Sequence, residues 1–449
     1  DLPDVMSMGW WYSQWQQLQD AEMLVALDEV VPDSHPQLWA GFADSMIGWW
    51  EYGDGHLYGY PGHTIAEEEM TEDNYLPTNV SFIAREDILD ELGLTAEDFQ
   101  TKEGFIESLK EVQESGHTYN GIEVDPFWFF TNGGEPGGLV WYSTFAVTRE
   151  DDAGQLVDMR LQPRYLEMML FLNRLYREGL IQRENLTADR TQIAERIISG
   201  RVFALSSNTG AVEEYIKDFY TSDGIRYVPI GPIFPEDGTR PAAVPQATIG
   251  WLMNMISADS EKVQPVLDAW EFMRSEEGRF LMNYGVEGEH YTLGSDGRVR
   301  WTEDYLEILD SPDIAPLDAV GNDYLWVLSS TPWRQRHNPP PANPGIAMEE
   351  DLYRYFGEYA YDDTAFTNIG PFGGTDEAGI SAQIATYWEE QIPKMVLAET
   401  EAEARGIYEE SVERILDMGL DDVLAIQNEN FQTNKEKLGI DYAWPYAGD

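Results

Sequence analysis

The chain has 449 residues, 43% of them hydrophobic, which is enough apolar material for one large or two ordinary cores. It carries 82 acidic against 28 basic residues, and its net charge of -54 excludes long-range attraction to nucleic acid or an anionic membrane surface. There is no cysteine, which excludes disulfides and thiolate chemistry, and no run of about 20 apolar residues typical of a membrane-spanning helix.

The first predicted element is a strand that ends where an aromatic loop begins. Residues 1–8 have strand character, and Gly9 is followed by the sequence WWYSQW. Loops after the carboxyl ends of strands are where open α/β sheets bind ligands, so Trp10, Trp11 and Tyr12 are the first site candidates. The alternative is that these aromatic side chains belong to a core.

Residues 50–69 hold two further patterns. Asp54-Gly55 is a strong two-residue turn, which predicts a hairpin over residues 50–61. The run Glu67, Glu68 and Glu69 predicts a solvated surface segment without chemistry.

A strand is predicted over residues 79–84 from its Val-x-Phe-Ile content, followed by residues 87–92 and then by a helix over residues 102–112. The sequence DPFWFFTNGG at residues 125–134 then places four aromatic residues beside a carboxylate and a glycine-rich turn. From the residues alone, a buried aromatic cluster explains this stretch as well as a binding site does.

Two amphipathic helices come next. Apolar residues at helical spacing predict helices over residues 165–178 and 190–199, each followed by a glycine that can end it. A short strand over residues 202–205 leads into SSNTG, where Asn208 has the composition of a turn residue.

Residues 247–256 are almost unbroken in apolar character, which is typical of a strand covered on both faces. Apolar residues then recur at helical spacing over 263–273, and Pro265 indicates that this helix begins close to it. Ser275 can cap a second helix, and Gly285 can end it. The predicted order is strand, helix, short helix and loop.

This order, with SEEGRFLMNYGVEGEHY after the first of the two helices, resembles the extracellular solute-binding proteins of ABC importers, family 1, oligosaccharide-binding type. Three other stretches carry the resemblance in the expected order: DLPDVMSMG at the start, NVSFIAREDILDELGL at residues 79–94, and LYREGLIQREN before SGRVFALSSNTG. Together they cover most of the chain. In the family another strand and helix precede the element matching residues 1–9, so we expect this sequence to be truncated.

The resemblance implies an α/β, two-lobed, periplasmic-binding-protein-like (Venus flytrap) fold with discontinuous lobes and a cleft between them. The chain is expected to cross between lobes near Thr78, Gln246 and Phe366. The implied lobes are an N-terminal one of residues 1–78 and 246–365, and a C-terminal one of residues 79–245 and 366–449.

The resemblance also extends the set of candidate ligand contacts to both lobes. Each added candidate has an alternative: Trp251, in an apolar strand, ordinarily packs in a core, and Glu287, in a glycine-flanked turn, is otherwise a solvated carboxylate. The full set is Trp10, Trp11, Tyr12, Asn79, Asp125, Phe127, Trp128, Asn208, Trp251, Tyr284 and Glu287.

The implied function is capture of a carbohydrate, an oligosaccharide, in the periplasm or at the cell surface on a lipid anchor, for delivery to an ABC transporter transmembrane permease. We expect a monomer with no cofactor, no metal and no nucleic-acid partner. The aromatic content of 13%, with 15 Trp, suits this function, because aromatic rings offer a flat apolar surface to sugar C–H faces.

Two other functions stay open. A secreted glycoside hydrolase or lyase would use paired carboxylates, and with 82 acidic residues every spacing occurs by chance. An adhesive surface protein would use its acidity only for solubility. The sequence has no P-loop, no G-x-G-x-x-G after a strand and no G-x-S-x-G elbow.

The net charge also predicts a salt-adapted protein. Excess carboxylates repel one another in the compact state unless salt screens them, and at molar salt the screening length is only about 3 Å. The alternative is an ordinary acidic secreted protein.

Overall fold

The computed structural model of the chain describes residues 2–441 apart from 10–13, 43, 52–53, 66–68, 72–73, 77, 79, 130, 133–134, 137–138, 208, 244–248, 251, 310–327, 329, 341–347, 362 and 372. The strands in this part of the chain are β1 (Val5–Gly9), β2 (Tyr60–Gly62), β3 (Ser81–Arg85), β4 (Thr118–Tyr119), β5 (Ile122–Glu123), β6 (Asp125–Phe129), β7 (Thr131–Asn132), β8 (Glu135–Pro136), β9 (Val202–Ser207), β10 (Tyr227–Pro229), β11 (Leu252–Ile256), β12 (Tyr291–Leu293) and β13 (Val299–Trp301).

The helices in the same residues are α1 (Gln14–Asp20), α2 (Leu27–Ser34), α3 (Pro36–Trp39), α4 (Asp44–Trp50), α5 (Glu86–Leu92), α6 (Lys102–Ser115), α7 (Leu139–Thr144), α8 (Pro163–Arg177), α9 (Arg190–Ile198), α10 (Thr209–Asp223), α11 (Val263–Arg274), α12 (Glu276–Tyr284), α13 (Glu303–Leu309), α14 (Thr331–His337), α15 (Met348–Gly357), α16 (Asp376–Val396), α17 (Glu401–Asp417) and α18 (Leu420–Leu438). Short 3-10 helices lie at Ala96–Phe99, Met159–Leu161, Arg183–Leu186 and Thr364–Phe366.

The chain divides into two compact units, each discontinuous in sequence. The first unit comprises Asp1–Tyr75, Ala247–Ala342 and Asn434–Gly439; the second comprises Leu76–Gln246, Asn343–Thr433 and Ile440–Asp449. The third boundary falls before residue 343 rather than near the expected crossing at Phe366. The physical reason is packing: α15 contributes Leu352 and Phe356 to the core of the second unit, and Phe366 stacks on Phe431 there at 4.6 Å.

The sheet of the first unit is antiparallel, with strand order β1-β11-β2. β11 is central and buried along its whole length, as its apolar sequence predicts. Its one polar residue, Asn254, is satisfied inside the sheet. The Ser7 hydroxyl donates to its side-chain oxygen (2.6 Å), and its amide donates to the Tyr60 carbonyl (3.0 Å). These bonds tie all three strands into one register.

The two helices after β11 confirm the predicted order of elements. α11 begins just before Pro265 and buries Trp270. The Ser275 hydroxyl oxygen accepts a hydrogen bond from the Gly278 amide at 3.0 Å and so caps α12. Gly285, with a φ of 84°, ends that helix.

The predicted hairpin over residues 50–61 is wrong. Trp50 ends a helix, α4, and of the expected strands the described residues form only β2. Side chains close the turn: the Asp54 carboxylate accepts hydrogen bonds from the Tyr58 hydroxyl (2.8 Å) and from the His56 amide (3.1 Å). A turn sequence is local, whereas a hairpin also needs two strands that prefer each other to other partners, and β2 pairs with β11 instead.

Glu69 is not the solvated residue that its charge run predicts. Its carboxylate contacts the guanidinium groups of Arg279 (3.0 Å) and Arg274 (3.4 Å) and accepts a hydrogen bond from the Ser330 hydroxyl. Burial opposes the ionisation of Glu69, but Arg274, Ser330 and Arg279 outweigh it and hold the pKa of that carboxyl below its usual value. Glu69 is therefore an ionised anchor inside the first unit.

The sheet of the second unit has the strand order β10-β3-β9-β6, in which β9 and β6 are parallel and the other pairs antiparallel. β9 is buried at every residue. The core beside it is aromatic. The ring centre of Phe105 in α6 lies 6.3 Å from that of Phe82 and 5.2 Å from that of Phe127, and the ring centre of Trp141 in α7 lies 5.1 Å from that of Phe82. The helices predicted over residues 165–178 and 190–199 are confirmed as α8 and α9.

Candidate functional site

At one edge of the β1-β11-β2 sheet, three strand ends lie side by side, and four of the candidate ligand contacts adjoin these ends in sequence. Gly9, the last residue of β1, pairs with Leu252, the first residue of β11, and Leu252 pairs with Gly62 at the end of β2. These three residues define the first edge. The candidates adjoining it in sequence lie outside the described residues: Trp10, Trp11, Tyr12 and Trp251.

Backbone packing at the first edge requires a glycine. Gly250 has a φ of 81°, a left-handed conformation that favours glycine. A Cβ atom there would lie 2.4 Å from the carbonyl oxygen of Gly62, so no larger residue fits without moving the backbone. The neighbouring Ile249 is anchored as well, because its carbonyl accepts a hydrogen bond from the Trp50 indole at 3.2 Å. The loop that leads into β11 is thus held against the end of β2.

His63 directly follows Gly62 at the first edge, and sequence reasoning missed it. Its φ of 57° is uncommon for a residue with a side chain, and such conformations cluster at functional sites. Burial, together with the Arg334 guanidinium, lowers the pKa of the His63 imidazole to about 3, so this side chain is neutral at pH 7. A neutral imidazole can donate a hydrogen bond from one ring nitrogen and accept at the other.

Arg334 reaches the same region from α14. The Thr331 amide, at the start of α14, donates to the Thr64 carbonyl at 2.9 Å, and Arg334 lies one turn further along. Its half-buried guanidinium makes no hydrogen bond or ion pair with any residue that the structure describes. In a chain with 82 acidic residues, this leaves a set of fixed donors available to a ligand. No sequence signal brings residues 63 and 334 together.

The structure gives Tyr284 and Glu287 different surroundings. Tyr284 is 4% exposed; its ring stacks on Trp333 at 6.0 Å, and its hydroxyl donates to the Asn338 side chain at 2.7 Å. Burial raises the pKa of its phenol. The ring and hydroxyl of Tyr284 are thus engaged within the first unit, whereas Glu287 is exposed in a turn that bridges to Tyr291.

The second unit has a comparable edge where β6 and β9 end. Because these strands are parallel, Phe129 and Ser207 lie at the same edge, and antiparallel β3 brings its first residue, Ser81, beside them. The Ser81 hydroxyl donates to the Ser207 carbonyl at 2.8 Å. The three residues define the second edge, and carboxyl ends of strands are the usual ligand edge of an α/β sheet. Candidates Asn79 and Asn208 adjoin it in sequence but lie outside the described residues.

Several buried polar atoms of the second unit have no hydrogen-bond partner among the described residues. Ser206 pairs with both Phe82 and Phe129, and the rings of these two residues contact Trp141 at 5.1 and 6.5 Å. Ser206 and Trp141 therefore face the same side of the sheet. Buried polar groups are usually hydrogen-bonded, so these atoms are available to a water or a ligand. The atoms concerned are Thr78 Oγ1, Trp141 Nε1, Thr144 Oγ1 and Ser206 Oγ.

Asp125 lies at the far end of β6 from the second edge, because it begins that strand. Its carboxylate accepts hydrogen bonds from Arg196 (2.6 Å), from the Gln182 amide (2.8 Å) and from the Trp128 indole (3.1 Å). Trp128 and Phe127 are each 1% exposed. The three candidates of this stretch thus belong to an internal network and to the core, as the aromatic-cluster alternative expects, and not to the second edge.

A cavity of about 260 Å³ lies among α7, α8, α16 and α18 of the second unit. Tyr142, Tyr165 and Trp388 line it, but each of these rings is at most 5% exposed. The Trp388 indole donates to the Tyr165 hydroxyl at 2.6 Å, and Arg160 pairs with Asp158 at 2.5 Å. Its polar groups are therefore largely bonded to each other, and the cavity suits a sugar less well than the two edges do.

The described residues contain no group of three or more His, Asp or Glu arranged to hold a metal ion. Of the helices described above, none is long and apolar enough to cross a membrane.

Solved structures resemble this chain over nearly its whole length. The ABC-transporter substrate-binding protein FusA of S. pneumoniae, in complex with kestose, has a TM-score of 0.70 at 14% identity and covers 97% of this chain and 89% of its own. The alginate-binding protein AlgQ2 has a TM-score of 0.65 at 16% identity, and the match covers 96% of this chain and 86% of AlgQ2. An HMO-binding, ABC-transporter-associated protein of Bifidobacterium longum infantis has a TM-score of 0.68 at 14% identity, and the match covers 96% of this chain and 87% of that protein. The predicted fold class, that of the two-lobed solute-binding proteins, is confirmed.

Sequence comparison adds a curated relative, Lipoprotein LipO of Bacillus subtilis (strain 168), which is 25% identical. The match covers 47% of this chain and 44% of LipO, so it spans less than half of that relative. No family model matches the chain.

Proposed function

We propose that the chain is an extracytoplasmic solute-binding protein that captures an oligosaccharide and delivers it to the transmembrane permease of an ABC transporter. The observation that carries this proposal is the likeness to carbohydrate-binding proteins of such transporters, with a TM-score of 0.70 over 97% of the chain for the kestose-bound protein. Because fold alone does not establish function, the proposal also rests on the chemistry at the two edges.

The first edge offers what a neutral sugar requires. A sugar hydroxyl both donates and accepts, and the neutral His63 imidazole can do the same. Arg334 adds donors only, which suit hydroxyl and ring oxygens. The aromatic candidates adjoining this edge in sequence, Trp10 and Trp251, would supply flat apolar surfaces for sugar C–H faces. We include Trp11 and Tyr12 in this set.

The second unit also carries hydroxyl groups that could serve a sugar at the second edge. Thr78, Thr144 and Ser206 each have a buried hydroxyl without a hydrogen-bond partner among the described residues. A sugar hydroxyl or a water held by the sugar would remove the cost of leaving these groups unpaired. We propose that Asn79 and Asn208, which adjoin this edge in sequence, act beside them.

The position of the other candidates changes their proposed roles. Asp125, Phe127 and Trp128 stabilise the second unit in this proposal, and Tyr284 does the same in the first. Glu287 remains a candidate contact because it is exposed.

A location outside the cytoplasm, in the periplasm or on a lipid anchor, agrees with the lipoprotein relative and with the transporter-associated neighbours. We propose that the protein acts as a monomer and catalyses no reaction. The solved neighbours described above are binding proteins rather than enzymes.

Incubation with a panel of oligosaccharides tests the proposal against its rivals. We expect a rise in melting temperature with at least one fructo- or hexose-based oligosaccharide, and an unchanged sugar by mass spectrometry after prolonged incubation. Cleavage products would favour the hydrolase or lyase. If no oligosaccharide of the panel is bound and none is cleaved, carbohydrate capture is refuted.

A further inference from the structure

A groove of about 500 Å³ opens on the second unit at the opposite end of the sheet from the second edge. It lies where β6 and β9 begin and is formed by residues 184–188, one side of α9 and residues 199–201. Trp128 lies beneath the groove, where the Arg196 guanidinium covers its ring at 4.0 Å from the ring centre. The proposed capture of an oligosaccharide does not use this groove.

Arg201 lines the groove and has no hydrogen-bond or ion-pair partner for its side chain among the described residues. Its side chain is half-buried, its Nε atom is sealed from solvent without a hydrogen bond, and it forms no ion pair with any described residue. Its main chain is fixed, because its carbonyl accepts from the Asp125 amide (2.7 Å) and its amide donates to the Arg196 carbonyl (3.0 Å). These two bonds fix the point from which the Arg201 side chain enters the groove.

The missing partner is unusual for this chain. Other half-buried arginines of the same unit have carboxylate partners, such as Arg164 with Asp237 and Arg196 with Asp125, both at 2.6 Å. Asp125 would be the natural partner of Arg201, but Arg196 and a glutamine already occupy its two oxygens. With 82 acidic residues against 28 basic ones, a half-buried guanidinium that meets none of them is available to an external carboxylate.

The other residues that line the groove indicate which chemical groups the ligand has besides a carboxylate. Glu184 and Glu195 are exposed and can accept hydrogen bonds from hydroxyl groups, and Gln192 can both donate and accept. Ile122, which is 44% exposed, offers an apolar patch. Glu184 and Glu195 repel a doubly charged anion such as phosphate more than a single carboxylate, so the lining favours a singly charged ligand whose hydroxyl groups meet these acceptors.

We propose that this groove binds a sugar acid, a polyol with one carboxylate, and that the carboxylate pairs with Arg201. The site is separate from both edges and does not depend on the proposed oligosaccharide function. Its affinity comes from a short-range ion pair in a partly desolvated groove, so it does not require a positive field around the protein.

Isothermal titration with D-glucuronate tests the proposal, with D-glucose as the matched probe that lacks the carboxylate. We expect saturable binding of glucuronate and none of glucose at this site. Arg201→Gln should weaken glucuronate binding roughly 10- to 100-fold, the effect of removing a charge-assisted hydrogen-bonding pair. The control variant Arg183→Gln, at the exposed first residue of the adjacent 3-10 helix, removes the same charge and should leave the affinity unchanged.

A groove-filling variant keeps the test decisive if Arg201→Gln does not fold. Thr187 is exposed and lines the groove, so Thr187→Trp should block glucuronate while the fold persists. The proposal is overturned by the absence of saturable glucuronate binding, by equal affinity in wild type and Thr187→Trp, or by equal affinity in wild type and a folded Arg201→Gln. Competition between glucuronate and a bound oligosaccharide would also overturn it, because the probe would then occupy an edge instead of the groove.

Discussion

Glu69 offers the sharpest test of how the first unit is held together. In the variant Glu69→Gln, two guanidinium groups lose their carboxylate: Arg279, at 3.0 Å, and Arg274, at 3.4 Å. The side chains of Arg274 and Arg279 are only 7% and 16% exposed, and their Nε atoms have no hydrogen-bond partner in the part of the chain that the structure describes. Neither arginine can therefore turn to water without local unfolding.

The expected cost follows from this burial. Removing one partner of a buried ion pair costs about 3–5 kcal/mol, because the remaining charge stays desolvated. The Glu69 side chain is 24% exposed, so we expect the lower end, about 3 kcal/mol. For a unit of this size that corresponds to a fall in melting temperature of roughly 6–12 °C.

Differential scanning calorimetry at pH 7 measures the effect. Glu261→Gln is the matched control, because Glu261 is exposed in the same unit and its substitution removes the same charge. The control matters since, at a net charge of -54, losing any carboxylate relieves some repulsion. A melting temperature of Glu69→Gln within about 2 °C of the control would refute the argument.

The lowered pKa of Glu69 also predicts how the stability of the protein changes with pH. The pKa of Glu69 is lower in the folded state than the unfolded value of about 4.3. Its contribution to stability is therefore complete above that unfolded pKa and is lost as the pH falls through the lower, folded pKa. Below both pKa values, the melting temperatures of wild type and Glu69→Gln should converge.

Four further predictions follow from the edges and the charge. Trp10→Ala should weaken oligosaccharide binding by roughly 1–3 kcal/mol without lowering the melting temperature, and a lower melting temperature with unchanged affinity would identify Trp10 as a core residue. Arg334→Gln should weaken binding by roughly tenfold at unchanged stability, measured by calorimetric titration; unchanged affinity would remove Arg334 from the site. Gly250→Ala should destabilise the protein by at least about 1 kcal/mol in chemical denaturation, because its Cβ meets the Gly62 carbonyl, and wild-type stability would contradict that close approach. The melting temperature should rise from tenths of molar to several molar salt, and independence from salt would argue against salt adaptation.

Local features of the fold could be predicted because their causes are local. The cap at Ser275, the end of α12 at Gly285 and the buried strand before them depend on neighbouring residues in the sequence. Hydrophobic period and capping chemistry act over a few residues, so they can be recognised without knowledge of the fold. The resemblance, carried by longer stretches of the same kind, predicted the fold class that the solved neighbours confirm.

The candidate binding-site residues are harder to predict from sequence patterns than the helices and strands are. The resemblance makes Asp125 a candidate ligand contact, but the sequence does not tell which end of a strand faces a ligand. The parallel pairing of β6 with β9 places Asp125 at the end away from the second edge. In the same way, the hairpin at Asp54-Gly55 failed because strand partners are chosen by the whole sheet.

The sequence by itself determined the order of helices and strands, the aromatic and acidic character and the family that the chain resembles. Only the tertiary structure decided which charges are paired, because ion pairs join residues far apart in the chain. Glu69 meets Arg274 and Arg279 across some 200 residues, while Arg201 and Arg334 meet no carboxylate in the described chain. With 82 acidic residues, composition predicts a carboxylate near every arginine. Burial and geometry decide which guanidinium groups remain open to a ligand, and neither can be read before the strands and helices have packed.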